Sequence, residues 1–107
     1  MIMKIEFTRD GDKLTAAISG RIDTNSAPEA EEQILNQLDG VKKLVLDFQD
    51  VDYISSAGLR VLLLLHKQML AEEGLTIINI NETVREVLEI TGFLDILNVE
   101  ENTEEES

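Results

Sequence analysis

Residues 2–7 alternate, with Met3, Ile5 and Phe7 on one side and Ile2, Lys4 and Glu6 on the other. That period of two predicts a half-buried strand. Asp10-Gly11-Asp12 is a turn signal and residues 14–19 read as the returning strand, so the chain opens with a hairpin. Gly20-Arg21-Ile22-Asp23 leads out of it. Ser26 and Glu29 then stand at capping-box spacing with Pro28 in the tolerant first turn, which predicts a helix carrying Ala27, Ala30, Ile34, Leu35 and Leu38 inward and ending near Asp39-Gly40. Residues 44–48 form an apolar run of strand length, expected to be buried on both faces. A helix is predicted from about residue 57 to residue 73, stopped by Gly74. Residues 75–80 make the next strand. Asn81 caps a further helix with Val84, Val87, Leu88 and Thr91 at helical spacing, closed by Gly92. Phe93, Leu94, Ile96, Leu97 and Val99 supply a short final helix or strand.

This order predicts an α/β fold. It is a single domain over residues 1–99, with a mixed four- to five-stranded sheet, an opening β-hairpin and three to four helices. Each strand–helix–strand unit should cross over right-handed and build a mostly parallel sheet. Residues 100–107 are acidic and lack apolar positions, the composition of a disordered tail. No internal repeat or linker interrupts the chain, and 107 residues suffice for one core.

On the long central helix, Leu59, Leu62, Leu63, His66, Met69 and Leu70 share one stripe, expected to press on the sheet. Arg60, Leu64, Lys67 and Ala71 form another, polar and partly basic apart from Leu64. Leu64 is either part of a docking surface or half covered by a neighbouring helix. Ser56 lies one turn before Arg60, so its hydroxyl belongs to that same surface.

Charge narrows the partners. With 9 basic against 22 acidic residues the formal net charge is -13, which argues against nucleic acid, whose affinity rests on basic contacts to phosphate. An anionic membrane surface is equally disfavoured, and a basic protein partner or simple solubility fits. No cysteine is present, so disulfides and thiolate metal sites are excluded. No segment reaches the roughly 18 apolar residues of a membrane span, and the start runs directly into a strand pattern. A cytoplasmic protein without a cofactor is expected.

Candidate chemistry concentrates at Asp52-Tyr53-Ile54-Ser55-Ser56-Ala57-Gly58-Leu59-Arg60, the joint between strand and central helix. Serine oxygens there can cap the first turn, whose free N–H groups and dipole also favour an anion such as phosphate. The Ser56 hydroxyl is thus a cap, a phosphate acceptor or a nucleophile. A nucleophile needs a base within reach. The only histidine, His66, lies ten residues along the same helix, on the order of 15 Å by helical rise. A metal site on Asp23, Asp47, Asp50 and Asp52 lacks calcium-loop spacing, and the glycines form no phosphate loop. Nothing in the sequence supports an enzyme.

Three segments in order carry a resemblance. They are residues 44–59 through Asp52, Ser55, Ser56, Ala57 and Gly58; Gly20-Arg21-Ile22-Asp23-Thr24; and the run from Thr83 to Gly92-Phe93. Together, from about residue 3 to 99, the chain resembles the STAS family, specifically the free-standing bacterial anti-sigma factor antagonists. The resemblance implies a switch. The unmodified antagonist binds an anti-sigma factor that is itself an ATP-dependent serine kinase, and sigma factor is released. Phosphorylation of the antagonist dissociates the pair, and a PPM-type serine phosphatase resets it. Aligning on Gly58-Leu59 places the phosphoacceptor at Ser56, with Ser55 as a decoy acceptor, and puts Asp23 close to the switch surface. Partner contacts are expected from Asp23, Asp52, Ser55, Ser56, Ala57, Gly58, Arg60 and Leu64. Ser55 stands where many members carry aspartate, and Ala57 where they carry a second hydroxyl. The added charge would sit among Asp23, Asp50 and Asp52 and expel a closely held partner by desolvation and steric conflict. The other reading is a STAS subunit of a membrane lipid or solute transport complex that is not phosphorylated.

Overall fold

The computed structural model describes residues 2–100. The sequence of elements is β1 (Lys4–Asp10), β2 (Lys13–Ile22), α1 (Ala27–Leu35), β3 (Lys43–Ile54), α2 (Ser56–Met69), β4 (Gly74–Ile78), α3 (Glu82–Ile90), a single 3-10 turn (Phe93–Asp95) and β5 (Asn98–Val99). The strands lie side by side in chain order. β1 and β2 pair antiparallel around the Gly11 turn, and every later pair is parallel. The expected mixed sheet is present with five strands and three α-helices. Of the acidic tail predicted over residues 100–107, Glu100 is described and donates its N–H to the Ile77 carbonyl at 2.9 Å, beside β4, and residues 101–107 lie outside the described residues.

All three parallel steps move the same way across the sheet, so right-handed crossovers set α1, α2 and α3 on one face. The core fills that interface. Leu14, Ala16, Ile18 and Ile22 of β2 meet Leu44, Leu46, Phe48, Val51 and Ile54 of β3 and Leu75 and Ile77 of β4. Ala30 and Ile34, Leu62 and Leu65, and Val84 and Leu88 cover them from the helices. Burial of the Val, Leu, Ile and Phe side chains among them contributes on the order of 1.5–3 kcal/mol each.

Strand β3 runs well past residue 48, where the apolar run ends, and reaches Ile54. The cause is two irregularities in its pairing with β2. Ala17 faces Asp47 but Ser19 faces Asp50, and Gly20 faces Val51 but Arg21 faces Tyr53. Each shift gives β3 one extra residue, so the buried positions move from a spacing of two (Leu44, Leu46, Phe48) to a spacing of three (Phe48, Val51, Ile54). The bulged extension carries the end of β3 out beyond the stretch paired with β4, which stops at Asp47. The strand expected at 75–80 stops at Ile78, and Asn79 turns the chain with φ 63°.

Helix α2 begins where expected but differs at its C-terminal end and in its facing. Its last helical residue is Met69, and the chain turns through residues 70–73 to Gly74 at φ 102°. The buried face is Gly58, Leu59, Val61, Leu62, Leu65 and Met69. Leu63 and His66 are only half-buried, and Leu70 is 65% exposed. The four consecutive leucines at 62–65 carry no period of their own, and the buried stripe is turned by about one position from the expected one. The final segment combines both expected forms, a 3-10 turn and a two-residue strand.

Candidate functional site

The joint between β3 and α2 divides its two serines. Ser55 has extended backbone (φ -97°, ψ 178°), the geometry of a residue just outside a helix, and its Oγ accepts from the Gly58 N–H at 3.4 Å. Its own N–H donates to the Ile22 carbonyl at 2.8 Å, tying the end of β3 to the end of β2. The cap is therefore Ser55. Ser56 is the first helical residue, exposed, and its Oγ makes no hydrogen bond among the described residues.

Gly58 holds this arrangement against the sheet. A Cβ there would stand 2.6 Å from Ile54 Cγ1, 2.8 Å from Ile22 Cγ2 and 3.1 Å from the Ile22 carbonyl oxygen. Only glycine lets the first turn of α2 rest on both strand ends. A side chain at 58 would lift the turn that presents Ser56.

Asp23 lies beside the joint, in the loop after β2. Its Oδ1 accepts from the N–H groups of Asn25 at 3.0 Å and Ser26 at 3.1 Å, and its Oδ2 is 3.8 Å from Arg21 Nε. The hydrogen bond from the Ser26 N–H, then those from Asn25 and the Ser26 hydroxyl and the Arg21 charge, hold its carboxyl below the usual aspartate value against partial desolvation. The Arg21 guanidinium also stacks over Tyr53, 4.7 Å from the ring centre. The expected capping box at Ser26 and Glu29 does not form. Ser26 Oγ accepts from the Asp23 N–H at 3.0 Å and donates to the Arg21 carbonyl at 2.7 Å, while Glu29 accepts from Gln33. The loop spends that hydroxyl before the helix can use it.

Beyond the joint, α1 and α2 leave a groove of about 540 Å³ between them. Ala27 and Pro28 form one wall, Ala57, Leu63 and Leu64 the other, and Arg60 and Lys67 stand at its rim opposite Glu31. Leu64 is half-buried, packs against the core and lines the groove. Asp23, Ser55, Ser56, Ala57, Gly58, Arg60 and Leu64 are thus brought to one end and one side of the molecule. Asp52 is exposed at the second bulge, three residues before Ser55. Asp50 is not part of this cluster. It faces Ser19 at the first bulge and lines a separate 170 Å³ depression with Lys4 and Asp47. Asp47 accepts from the Gln49 N–H and from Asn79 Nδ2, a structural role. Among the described residues no cluster of three His, Asp or Glu side chains is placed to hold a metal ion, and no helix is long and apolar enough to cross a membrane.

A residue not singled out by sequence reasoning for the site is Asn81. Its side chain accepts from the Val84 N–H at 2.8 Å and donates to the Val51 carbonyl at 2.9 Å, so one amide caps α3 and latches it to the bulged end of β3. Its place as a cap was legible; its reach to β3 was not.

The sequence model of the STAS domain matches residues 4–106. The chain belongs to the STAS domain family. Among relatives, this STAS domain is 39% identical over 104 residues to a Bordetella bronchiseptica protein named as an anti-sigma factor antagonist, BtrV, with 95% of this chain and 90% of that one covered. Its fold superimposes on an anti-sigma factor antagonist from Mycobacterium paratuberculosis with a TM-score of 0.85 at 21% identity, covering 97% and 90% of the two chains. It also superimposes on the Bacillus cell fate determinant SpoIIAA in its phosphorylated form, with a TM-score of 0.69 at 15% identity over 94% and 95%. At these identities the two structures establish the shared STAS fold.

Proposed function

We propose that this STAS domain is a cytoplasmic anti-sigma factor antagonist switched at Ser56. In its unmodified state it binds an anti-sigma factor with serine kinase activity and frees sigma factor. The kinase then moves the γ-phosphoryl of ATP to Ser56 Oγ, with loss of the hydroxyl proton and release of ADP, and the pair separates. A PPM-type phosphatase restores the hydroxyl. The observation that carries the reading is the division of labour at the joint: Ser55 uses its oxygen as the cap, while Ser56 presents a free, exposed one. The name of the BtrV relative supports the antagonist role, and SpoIIAA, of the same fold, is known in a phosphorylated form. The contact surface comprises Ser56, Ala57, Arg60 and Leu64 along α2 with Asp23 and Asp52 beside them. Ser55 and Gly58 build the turn that displays it.

The phosphate adds about 1.5–2 negative charges at neutral pH. It would stand at a helix start, where free N–H groups can donate to its oxygens without rearrangement of the fold. The partner, fitted to a neutral hydroxyl, would have to desolvate a dianion. Incubation with ATP and candidate anti-sigma kinases, read by intact mass, tests this. One added phosphate on wild type and on Ser55→Ala, and none on Ser56→Ala, is the expected result. Modification of Ser56→Ala would move the acceptor, and absence of modification with every candidate would favour a transport-complex subunit. Ser56→Asp binding the partner as tightly as wild type would also contradict the switch.

A further inference from the structure

In a chain of net charge -13, no carboxylate stands between Asp52 and Glu72, and that gap coincides with α2. Arg60 is exposed within it, at the rim of the α1–α2 groove. Among the described residues it makes neither an ion pair nor a hydrogen bond, although Glu31 faces it across the groove. The other arginine near the joint, Arg21, is already committed to Asp23 and the Tyr53 ring.

Ser56 and Arg60 are four residues apart on one helix. Side chains at that spacing are neighbours, with Cβ atoms roughly 5–6 Å apart, and an anion placed N-terminal to a cation is the favourable order. A guanidinium also matches phosphate oxygens in a two-pronged hydrogen bond. Lys67 shares the rim but lies eleven residues from Ser56, on the order of 16 Å along the helix, too far to compete.

We infer that Arg60 carries the state of Ser56 into the groove: phosphorylated Ser56 takes the Arg60 guanidinium into an intrahelical pair and so withdraws the groove's nearest cation from a docking partner. The inference rests on Ser56 being the acceptor. It adds an attractive step to the repulsive one, because modification both places a dianion on the surface and removes a charge that a partner carboxylate would use.

The test installs phosphoserine directly at position 56 during synthesis of the full chain, so it does not depend on any kinase. The phosphorus resonance is followed by NMR through its second ionisation in wild type, Arg60→Gln, Arg60→Lys and Lys67→Gln. Pairing favours the dianion, so the midpoint in wild type and Lys67→Gln should lie about half a pH unit below that in Arg60→Gln, with Arg60→Lys between them. The Arg60 Nε–H resonance should move with the same midpoint in wild type. Equal midpoints in wild type and Arg60→Gln would overturn the inference and leave the phosphate to the helix N–H groups alone. Failure of kinases to modify Ser56 would instead sink the proposed function while these midpoints stood.

Discussion

Helices α1 and α2 both begin after a serine, and the two serines do opposite things. Ser26 precedes α1 at ideal capping-box spacing, yet its backbone is already helical (φ -97°, ψ -19°) and its hydroxyl points back to Arg21 and Asp23. Ser55 precedes α2 with the same φ but ψ 178°, and its oxygen reaches forward to Gly58. The difference is one dihedral, set upstream. Before α1 the chain leaves β2 through a tight turn in which Asp23, three residues early, collects the Asn25 and Ser26 N–H groups and its carbonyl accepts from Ala27. Before α2 the chain comes straight off β3, pinned to Ile22, and stays extended to the last residue. A rigid extended entry leaves the following serine with its oxygen unused, and that is the position from which a hydroxyl can be modified without unmaking the fold.

The comparison breaks most completely at Gly58. In Gly58→Ala the new methyl meets two buried isoleucines and a backbone carbonyl, so the turn must move or the core must open. Alanine's better helix propensity offsets less than about 1 kcal/mol of this, and overpacking costs roughly 1–3 kcal/mol. A net loss of about 2 kcal/mol is expected in urea unfolding, along with loss of Ser56 modification out of proportion to the fraction unfolded. An unchanged stability would mean that α2 does not depend on this close approach.

The two serines of the joint give the next, smaller effect. Ser55→Ala removes the cap and leaves the Gly58 N–H without its acceptor, a change worth about 0.5–1 kcal/mol for a bond as long as 3.4 Å. Ser56→Ala removes an exposed hydroxyl with no partner and should leave stability within about 0.5 kcal/mol of wild type. The ordering matters more than the sizes. If Ser56→Ala were the more destabilising of the two, Ser56 would be a structural cap and its assignment as a free acceptor would fail.

How far the sequence reaches follows from the same residues. The hairpin, the parallel order and the caps at Asn81 and Gly92 are local signals and are present as expected. The joint was legible as a place, because Ser55, Ser56 and Gly58 sit between an apolar strand and an apolar helix. Which serine caps was not legible, since that depends on where β3 ends, and β3 ends six residues beyond its apolar run. Its bulges hide in the sequence as buried positions three apart, a spacing that looks like a loop unless β2 is there to pair with it. The facing of α2 was blurred for a different reason: Leu62 to Leu65 are equally apolar, and only contact with β3 and β4 selects Leu62 and Leu65. The groove depends on α1 and α2 lying together, which no single stretch encodes.

The smallest effect concerns Asp23, the residue that decides how α1 begins. Its carboxyl is held below the ordinary value of 3.8, first by the Ser26 N–H and then by Asn25, the Ser26 hydroxyl and Arg21, with partial desolvation opposing them. A group with a depressed native value binds its proton more weakly when folded, so its contribution to stability is complete above about pH 4 to 5 and is lost as pH falls through the native value. Many carboxylates titrate in that range, and the useful quantity is a difference between proteins. Asp23→Asn keeps an oxygen acceptor for the Asn25 and Ser26 N–H groups but cannot ionise. The melting temperature of wild type should therefore fall more than that of Asp23→Asn between about pH 6 and about pH 2, a span that brackets the ordinary carboxylate range near roughly 4. Added salt should shrink the difference only in part, because it screens the exposed Arg21 charge at 3.8 Å and leaves the backbone hydrogen bonds intact. Parallel acid profiles for the two proteins would show that the ionised carboxylate adds nothing beyond its acceptor oxygen, and the entry to α1 would then be set by turn geometry alone.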